Sequence, residues 1–193
     1  MIALSEYLER GLQIKIGNKV AEQINGSAVL SEFPRKQIVL LEGTKSETIY
    51  FIISGIVRGY YIDENGNDIT KCFSRENQFF SSEGLRTEST SSFTIECLED
   101  CRCIQLPYKL VREVMKADEV LHEVFVRYYL REVANLEKHI KSAALMDAEE
   151  RYIAFCRQYP DLQERVDLQY IASYIGIRAA SLSRIRKKLK NAG

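Results

Sequence analysis

Residues 168–189 read LQYIASYIGIRAASLSRIRKKL. Two short helices fit this stretch, from about Leu168 to Ile175 and from about Ala179 to Asn191. Ala172 falls where such helices nearly touch, so the position wants a small side chain. Gly176 falls four residues later, at the turn, where a positive φ is needed and glycine adopts it without steric cost. Leu182 and Ile185 then lie one helical turn apart and face Ile171 and Ile175 across the pair. This is helix-turn-helix spacing. A plain helical hairpin inside a core would show the same apolar pattern, so both readings stand on spacing alone.

As a wheel at about 100° per residue, the second helix places Leu182, Ile185 and Leu189 on a buried stripe, with Ala180, Ser183, Arg184 and Lys187 roughly opposite. A helix so built fits a major groove, which is about 12 Å wide. Arg184 is the candidate for reading a base, since its planar fork matches guanine O6 and N7; a phosphate contact or a surface charge is its alternative. Ser181 and Ser183 can bond phosphates, and Ala179 and Ala180 offer only apolar contact. Lys187, Lys188 and Lys190 suit the phosphate backbone. Charge agrees in part. The chain has 27 Lys+Arg and 27 Asp+Glu, yet the last 16 residues hold six bases and no acid, leaving 21 bases against 27 acids elsewhere. A basic end on a mildly acidic body suits an anionic partner such as nucleic acid, and equally a solvated helix face.

Upstream, Asp147-Ala148-Glu149-Glu150 is a capping box that opens a helix ending before Pro160, followed by the loop PDLQERVD. From about Glu119 to Ala144 no Pro or Gly interrupts, and apolar residues recur at Leu121, Phe125, Tyr129, Val133, Leu136, Ile140 and Ala143. A helix of about 25 residues spans nearly 40 Å at about 1.5 Å per residue. Its narrow heptad-like seam (Phe125, Tyr129, Val133, Leu136, Ile140) predicts a parallel homodimer. Before it, residues 37–106 read as short strands rich in β-branched and aromatic residues, among them QIVLLEG and TIYFIISGIVRGYYI. Asn65-Gly66 marks a hairpin turn, and Gly43, Gly55 and Gly59 mark further turns or sharp bends. Many short strands at near-regular spacing predict a barrel or sandwich.

These patterns, in order, resemble the Crp/Fnr (cyclic-AMP receptor/fumarate-nitrate regulator) family of bacterial transcription factors. The resemblance runs from about Val29 to Leu189 and rests on LLEGTKSETIYFIISGIVRGYYIDENGND, SSFTIECLEDCRCIQLP, AEERYIAFCRQYP and YIASYIGIRAASLSRIRKKL, with Leu182–Arg186 the most specific match. It implies an α+β protein: an N-terminal jelly-roll-like β-roll of the cyclic-nucleotide-binding type (1–118), a long dimerisation helix (119–144) and a C-terminal helix-turn-helix domain (145–193). It also implies a sequence-specific, homodimeric regulator that contacts DNA through Arg178, Ala179, Ala180, Ser181, Ser183, Arg184, Lys187 and Lys188. RNA polymerase and a small-molecule effector are further candidate partners.

The departures are specific. Cyclic-nucleotide binders of the family carry Gly-Glu-Leu and then an Arg-Ser or Arg-Thr pair, because a buried phosphate needs amides and an Arg. Here Ser81-Ser82-Glu83-Gly84 and Ser91-Ser92 stand near those positions, without the Arg; Arg86 is the one basic residue of that loop. Cyclic AMP is therefore not expected. The candidate effector residues are Arg58, Tyr60, Tyr61, Ser82, Glu83, Gly84, Ser91 and Ser92. Ala179-Ala180 replaces a pair that is polar in many members, and Arg178 stands where a Ser or Thr cap is common, so the family's usual half-site is not assumed.

Composition bounds the rest. Hydrophobic residues are 46% and charged residues 28%, too apolar for a disordered chain. No apolar run nears the roughly 20 residues of a membrane helix. Glu6 and Glu9 interrupt any signal-peptide core, so a cytoplasmic protein without membrane contact is expected. The first of five cysteines is Cys72 and none forms a Cys-x-x-Cys pair, which leaves no iron–sulfur or structural zinc pattern. Cys97, Cys101 and Cys103 read as packed thiols, with a thiol-redox sensor as the alternative. The two histidines, His122 and His139, both fall in the long helix, and no catalytic constellation stands out, so no metal and no enzyme activity are expected. A protein-interaction module whose basic helix binds an acidic partner is the remaining alternative.

Overall fold

The computed structural model describes residues 2–192; Met1 and Gly193, the outer bounds of the expected first and last domains, lie outside them. The chain forms two compact units. One comprises the residues up to Tyr61 with Cys72–Tyr128, the other Ile62–Lys71 with everything from Tyr129 on.

Two four-stranded antiparallel sheets enclose a core; their strands lie in the first unit except Ile62 and Asp68–Lys71, which fall in the second. One has the order β1 (Val29–Phe33), β8 (Cys101–Pro107), β3 (Thr48–Ser54), β6 (Phe79–Phe80); the other is β2 (Ile38–Leu40), β7 (Thr94–Cys97), β4 (Val57–Ile62), β5 (Asp68–Ser74). Strand alternation explains the filling. Val57 on β4, Ile95 and Cys97 on β7, and Cys101 and Cys103 on β8 point into one cluster with Ile52, Phe80 and Phe93. Tyr50 stacks on Phe80 with ring centroids 4.7 Å apart, so aromatic rings fill much of the interior. The opposite face of β8, with Ile104 and Leu106, is also buried and packs near two helices, α2 (Asn18–Ser27) and α4 (Tyr108–Ala117). With α1 (Leu4–Leu12), which buries Leu8, the N-terminal helices went unread in the sequence.

Gly55 turns β3 into β4 at φ +100°, and a Cβ there would lie 2.6 Å from Cys101 Sγ. Gly59 corrects an expectation. It sits within β4 rather than at a bend, and a Cβ would press to 2.9 Å from the Phe93 ring. The cassette-like loop contains a single helical turn, α3 (Gly84–Thr87). The three cysteines are core residues. Burial pushes the Cys103 thiol up to about 12, and Cys97 is raised by its hydrogen bond with Cys101 and by burial.

The long helix α5 runs Glu119–Leu145. In the second unit it is followed by α6 (Ala148–Gln158), α7 (Leu162–Arg165), α8 (Leu168–Tyr174) and α9 (Ala179–Ala192). The capping box forms as read: Asp147 Oδ1 accepts the Glu150 N–H and Glu150 Oε2 accepts the Asp147 N–H, both at 2.9 Å. The stretch expected as a loop holds α7, because Leu162 is fully buried and anchors it. Within the same unit the hairpin tip bonds α8: Thr70 N–H donates to Ser173 Oγ at 2.8 Å, and that hydroxyl donates to the Asp68 carbonyl at 3.0 Å.

Candidate nucleic-acid interface and effector loop

Helix α8 ends at Gly176, whose φ is +71°. Gly176 N–H donates to the Ser173 carbonyl at 3.1 Å and Ile177 N–H to the Ala172 carbonyl at 3.0 Å. This double closure is a Schellman motif; it satisfies orphan carbonyls and turns the chain toward α9. Arg151 braces the turn, its Nε donating to the Ile175 carbonyl at 2.8 Å. Ala172, Ile171 and Leu182 are buried at the crossing of α8 and α9, so the helix-turn-helix spacing read from the sequence is the geometry observed.

Of the stripe expected on α9, Leu182 is fully buried, whereas Ile185 and Leu189 are only half-buried. The helix pair packs tightly at its crossing, and the C-terminal turns of α9 border an open groove beside α6. Ala180, Ser183, Arg184 and Lys187 are exposed, as is Arg178; Ala179 and Ser181 are half-buried. The Arg178 carbonyl accepts the N–H groups of Ser181 and Leu182, so Arg178 opens α9 with its backbone. Arg184 Nη2 donates to Ser181 Oγ at 3.3 Å, a local bond on an exposed surface. Lys188 is placed differently from the other cations. Its Nζ lies 2.6 Å from Glu149 Oε2, and that carboxylate raises the ammonium pKa. Sequence reasoning missed this partner, which lies 39 residues away on α6 and leaves no local signal.

The expected effector residues divide. Arg58 and Tyr60 share one face of β4, and Tyr61 faces the other way with Gly59. Arg58 is buried, its Nε donating to Glu96 Oε1, and its guanidinium carbon stands 4.4 Å from the Tyr60 ring centroid. These three therefore do not line one pocket. Glu96 is its cross-strand register partner and was missed; strand pairing would have found it. Tyr61 packs edge-on to Phe93 with centroids 6.3 Å apart. Burial raises its phenol pKa, and Cys72, Glu83 and Glu42 add to the rise, so Tyr61 does face the loop.

That loop is closed by its own bonds. Glu83 Oε1 accepts the Ser92 N–H at 2.8 Å, Ser82 Oγ accepts the Gly84 N–H at 2.9 Å, and Ser91 Oγ donates to the Phe93 carbonyl at 2.7 Å. A Cβ on Gly84 would lie 2.4 Å from the Ser89 carbonyl, so the two arms of the loop touch. Arg86 is exposed on α3. The family resemblance implies a cyclic nucleotide as the ligand of this loop. Its phosphate would meet the Glu83 carboxylate at an amide already taken, and no arginine stands at Ser91-Ser92.

The expected helix seam also divides. Phe125 is buried against Phe79, centroids 5.3 Å apart, and Tyr129 is half-buried. Val133, Leu136 and Ile140 are exposed, and Leu130, unread in the sequence, is exposed with them.

Comparison with known proteins agrees with this architecture. Residues 30–118 match the cyclic nucleotide-binding domain family. Over 173 residues the chain is 22% identical to the cAMP-activated global transcriptional regulator CRP of Pasteurella multocida, covering 84% of this chain and 83% of that protein. Among solved structures it is similar to FixK2 from Bradyrhizobium japonicum, with a TM-score of 0.77, 18% identity and 86% of each chain covered. It is also similar to a transcriptional regulator of the CRP/FNR family from Thermus thermophilus, with a TM-score of 0.69, 19% identity, and 86% and 87% of the two chains covered. The fold is thus α+β, a cyclic-nucleotide-binding-type β domain followed by a long helix and a helical unit. Over most of its length the chain is thus similar to regulators of the CRP/FNR type, and residues 30–118 form a cyclic nucleotide-binding domain. Among the described residues no helix is long and apolar enough to cross a membrane, and no group of three or more His, Cys, Asp or Glu is placed to hold a metal ion.

Proposed function

We propose that the chain is a homodimeric transcriptional regulator that reads duplex DNA with α9 and whose β domain responds to a signal other than cyclic AMP. The observation that carries the reading is the two-sidedness of α9. Leu182 is fully buried beneath it, while Ser183, Arg184 and Lys187 stand exposed on the far side. Such a helix enters a major groove, with Arg184 at base edges and Ser183 and Lys187 at phosphates. Lys188 reaches a phosphate only by leaving Glu149. Two copies joined along α5 would present two such helices about 34 Å apart to a near-palindromic site. A signal in the β domain acts by favouring one arrangement of the DNA-reading helices over another. Duplex DNA and RNA polymerase are the partners this role implies, and the cytoplasm is the compartment where it would act.

The test is in vitro selection from a random duplex pool with the purified chain, with and without cyclic AMP. The expected result is enrichment of a two-part site, unchanged by the nucleotide. A pool that stays random overturns the DNA reading, and enrichment that requires cyclic AMP overturns the view of the effector.

A further inference from the structure

Helices α6 and α9 leave between them an open groove of about 610 Å³. That volume lies within the roughly 300–1,000 Å³ of small-molecule sites. Its apolar surface comes from Tyr152, Ile153 and Leu189. Four cations line it: Arg157 from α6, and Arg186, Lys187 and Lys190 from α9. Among the described residues no carboxylate lines the groove and none of the four cations is ion-paired, in contrast to Lys188 with its Glu149. Beside them the half-buried Cys156 thiol donates to Gln163 Oε1 at 3.6 Å. Four like charges around one concavity repel one another, and a bound anion relieves that repulsion.

We propose that this groove binds a small amphipathic organic anion, with an aromatic or branched apolar body on Tyr152, Ile153 and Leu189 and a phosphate, sulfate or carboxylate held by the cations. A DNA phosphodiester alone would use the cations and leave the apolar surface wet, so the combination favours a compact ligand that uses both. Lys187 belongs both to this groove and to the exposed face of α9. An anion held there therefore competes with DNA, and by linkage each weakens the other by the same factor. This last step rests on the DNA reading above; the site itself does not.

The test uses the full chain, 1-naphthyl phosphate as probe and inorganic phosphate as control. The readout is the rate at which N-ethylmaleimide alkylates Cys156, followed by peptide mass mapping, with half-buried Cys72 as internal reference. Millimolar 1-naphthyl phosphate is expected to slow Cys156 about fivefold, as at a concentration about four times the dissociation constant, and to leave Cys72 unchanged. Inorganic phosphate is expected to do neither, and R157Q with K190Q is expected to remove the protection. Absence of protection, or equal protection by inorganic phosphate, overturns the site. So does protection by duplex DNA alone, which would make the groove part of the DNA track. Titration of a labelled duplex runs in parallel. Protection without weaker DNA binding overturns the competition, while a protected Cys156 in a chain that binds no duplex overturns the DNA reading and leaves the site standing.

Discussion

The Glu83 carboxylate accepts the backbone N–H of Ser92 at 2.8 Å and thereby ties together the two ends of a ten-residue loop. In a phosphate-binding loop an amide in this position would be left for the ligand. Here an internal acid takes it, and Ser91 N–H is likewise used, donating to the Thr44 carbonyl at 2.9 Å. The loop is ordered by its own charge rather than by an incoming one.

Glu83→Ala removes an ionised acceptor from a backbone donor. Such bonds contribute about 1.5–3 kcal/mol when buried, and partial exposure of Glu83 brings the expected loss to about 1 kcal/mol. Denaturant unfolding of the two proteins measures it; equal midpoints would show that the bond adds nothing. Millimolar cyclic AMP is expected to leave the melting temperature of the unchanged chain where it was. A clear rise would mean that the nucleotide displaces Glu83 and binds.

His139 on α5 packs against Tyr174 of α8 with ring centroids 4.4 Å apart. Burial lowers its imidazole pKa from the ordinary 6.5. The sign follows from linkage. Well above pH 6.5 the ring is neutral in folded and unfolded chains, and its contribution is fully present. As pH falls below that value the unfolded chain takes up the proton more readily, and stability is lost until the folded pKa is passed. Stability of the helical unit should therefore drop as pH falls through and below about 6.5. His139→Phe keeps a ring against Tyr174 and cannot titrate, so it should flatten this slope in thermal melts at stepped pH. An unchanged slope would assign the loss to other groups.

What the sequence made legible follows the range of the interactions. Ala172, Gly176 and Leu182 lie within one turn-and-helix and were readable because local geometry demands those side chains. The Asp147–Glu150 capping box is local in the same way. Period-two alternation separates Arg58 from Tyr61, so nearness in the chain does not place both in one pocket. The Arg58–Glu96 pair and the Lys188–Glu149 pair join residues 38 and 39 positions apart, and no periodicity announces them. Helices α1 and α2 were missed because each buries only two residues, a pattern too sparse to stand out.

Arg184 and Lys187 are expected to separate by the kind of contact they make. Arg184→Ala should weaken binding to the selected site by about 1–3 kcal/mol and relax the preference at one base position. Lys187→Ala should weaken binding to selected and random duplexes alike and reduce the slope of log affinity against log salt by about one. Titrations at several salt concentrations distinguish the two. Equal losses on both kinds of duplex for both variants would mean that Arg184 is a phosphate contact.

The α5 residues fall into two groups with different expected outcomes. Leu130, Val133, Leu136 and Ile140 are 63%, 52%, 57% and 59% exposed along one helix, the surface on which a second copy is proposed to pack. Phe125 is 8% exposed and held by Phe79. Leu136→Glu would bring two carboxylates together across a paired α5 and bury them, so it should weaken self-association at least about 100-fold, or about 2.7 kcal/mol. The folded content of each chain should stay the same. Phe125→Ala leaves a cavity beside Phe79 and should lower unfolding stability by about 3 kcal/mol while leaving the association constant of the folded chain nearly unchanged. Sedimentation equilibrium with parallel circular dichroism separates the outcomes. If Leu136→Glu associates as the unchanged chain does, α5 is not the surface on which two copies meet.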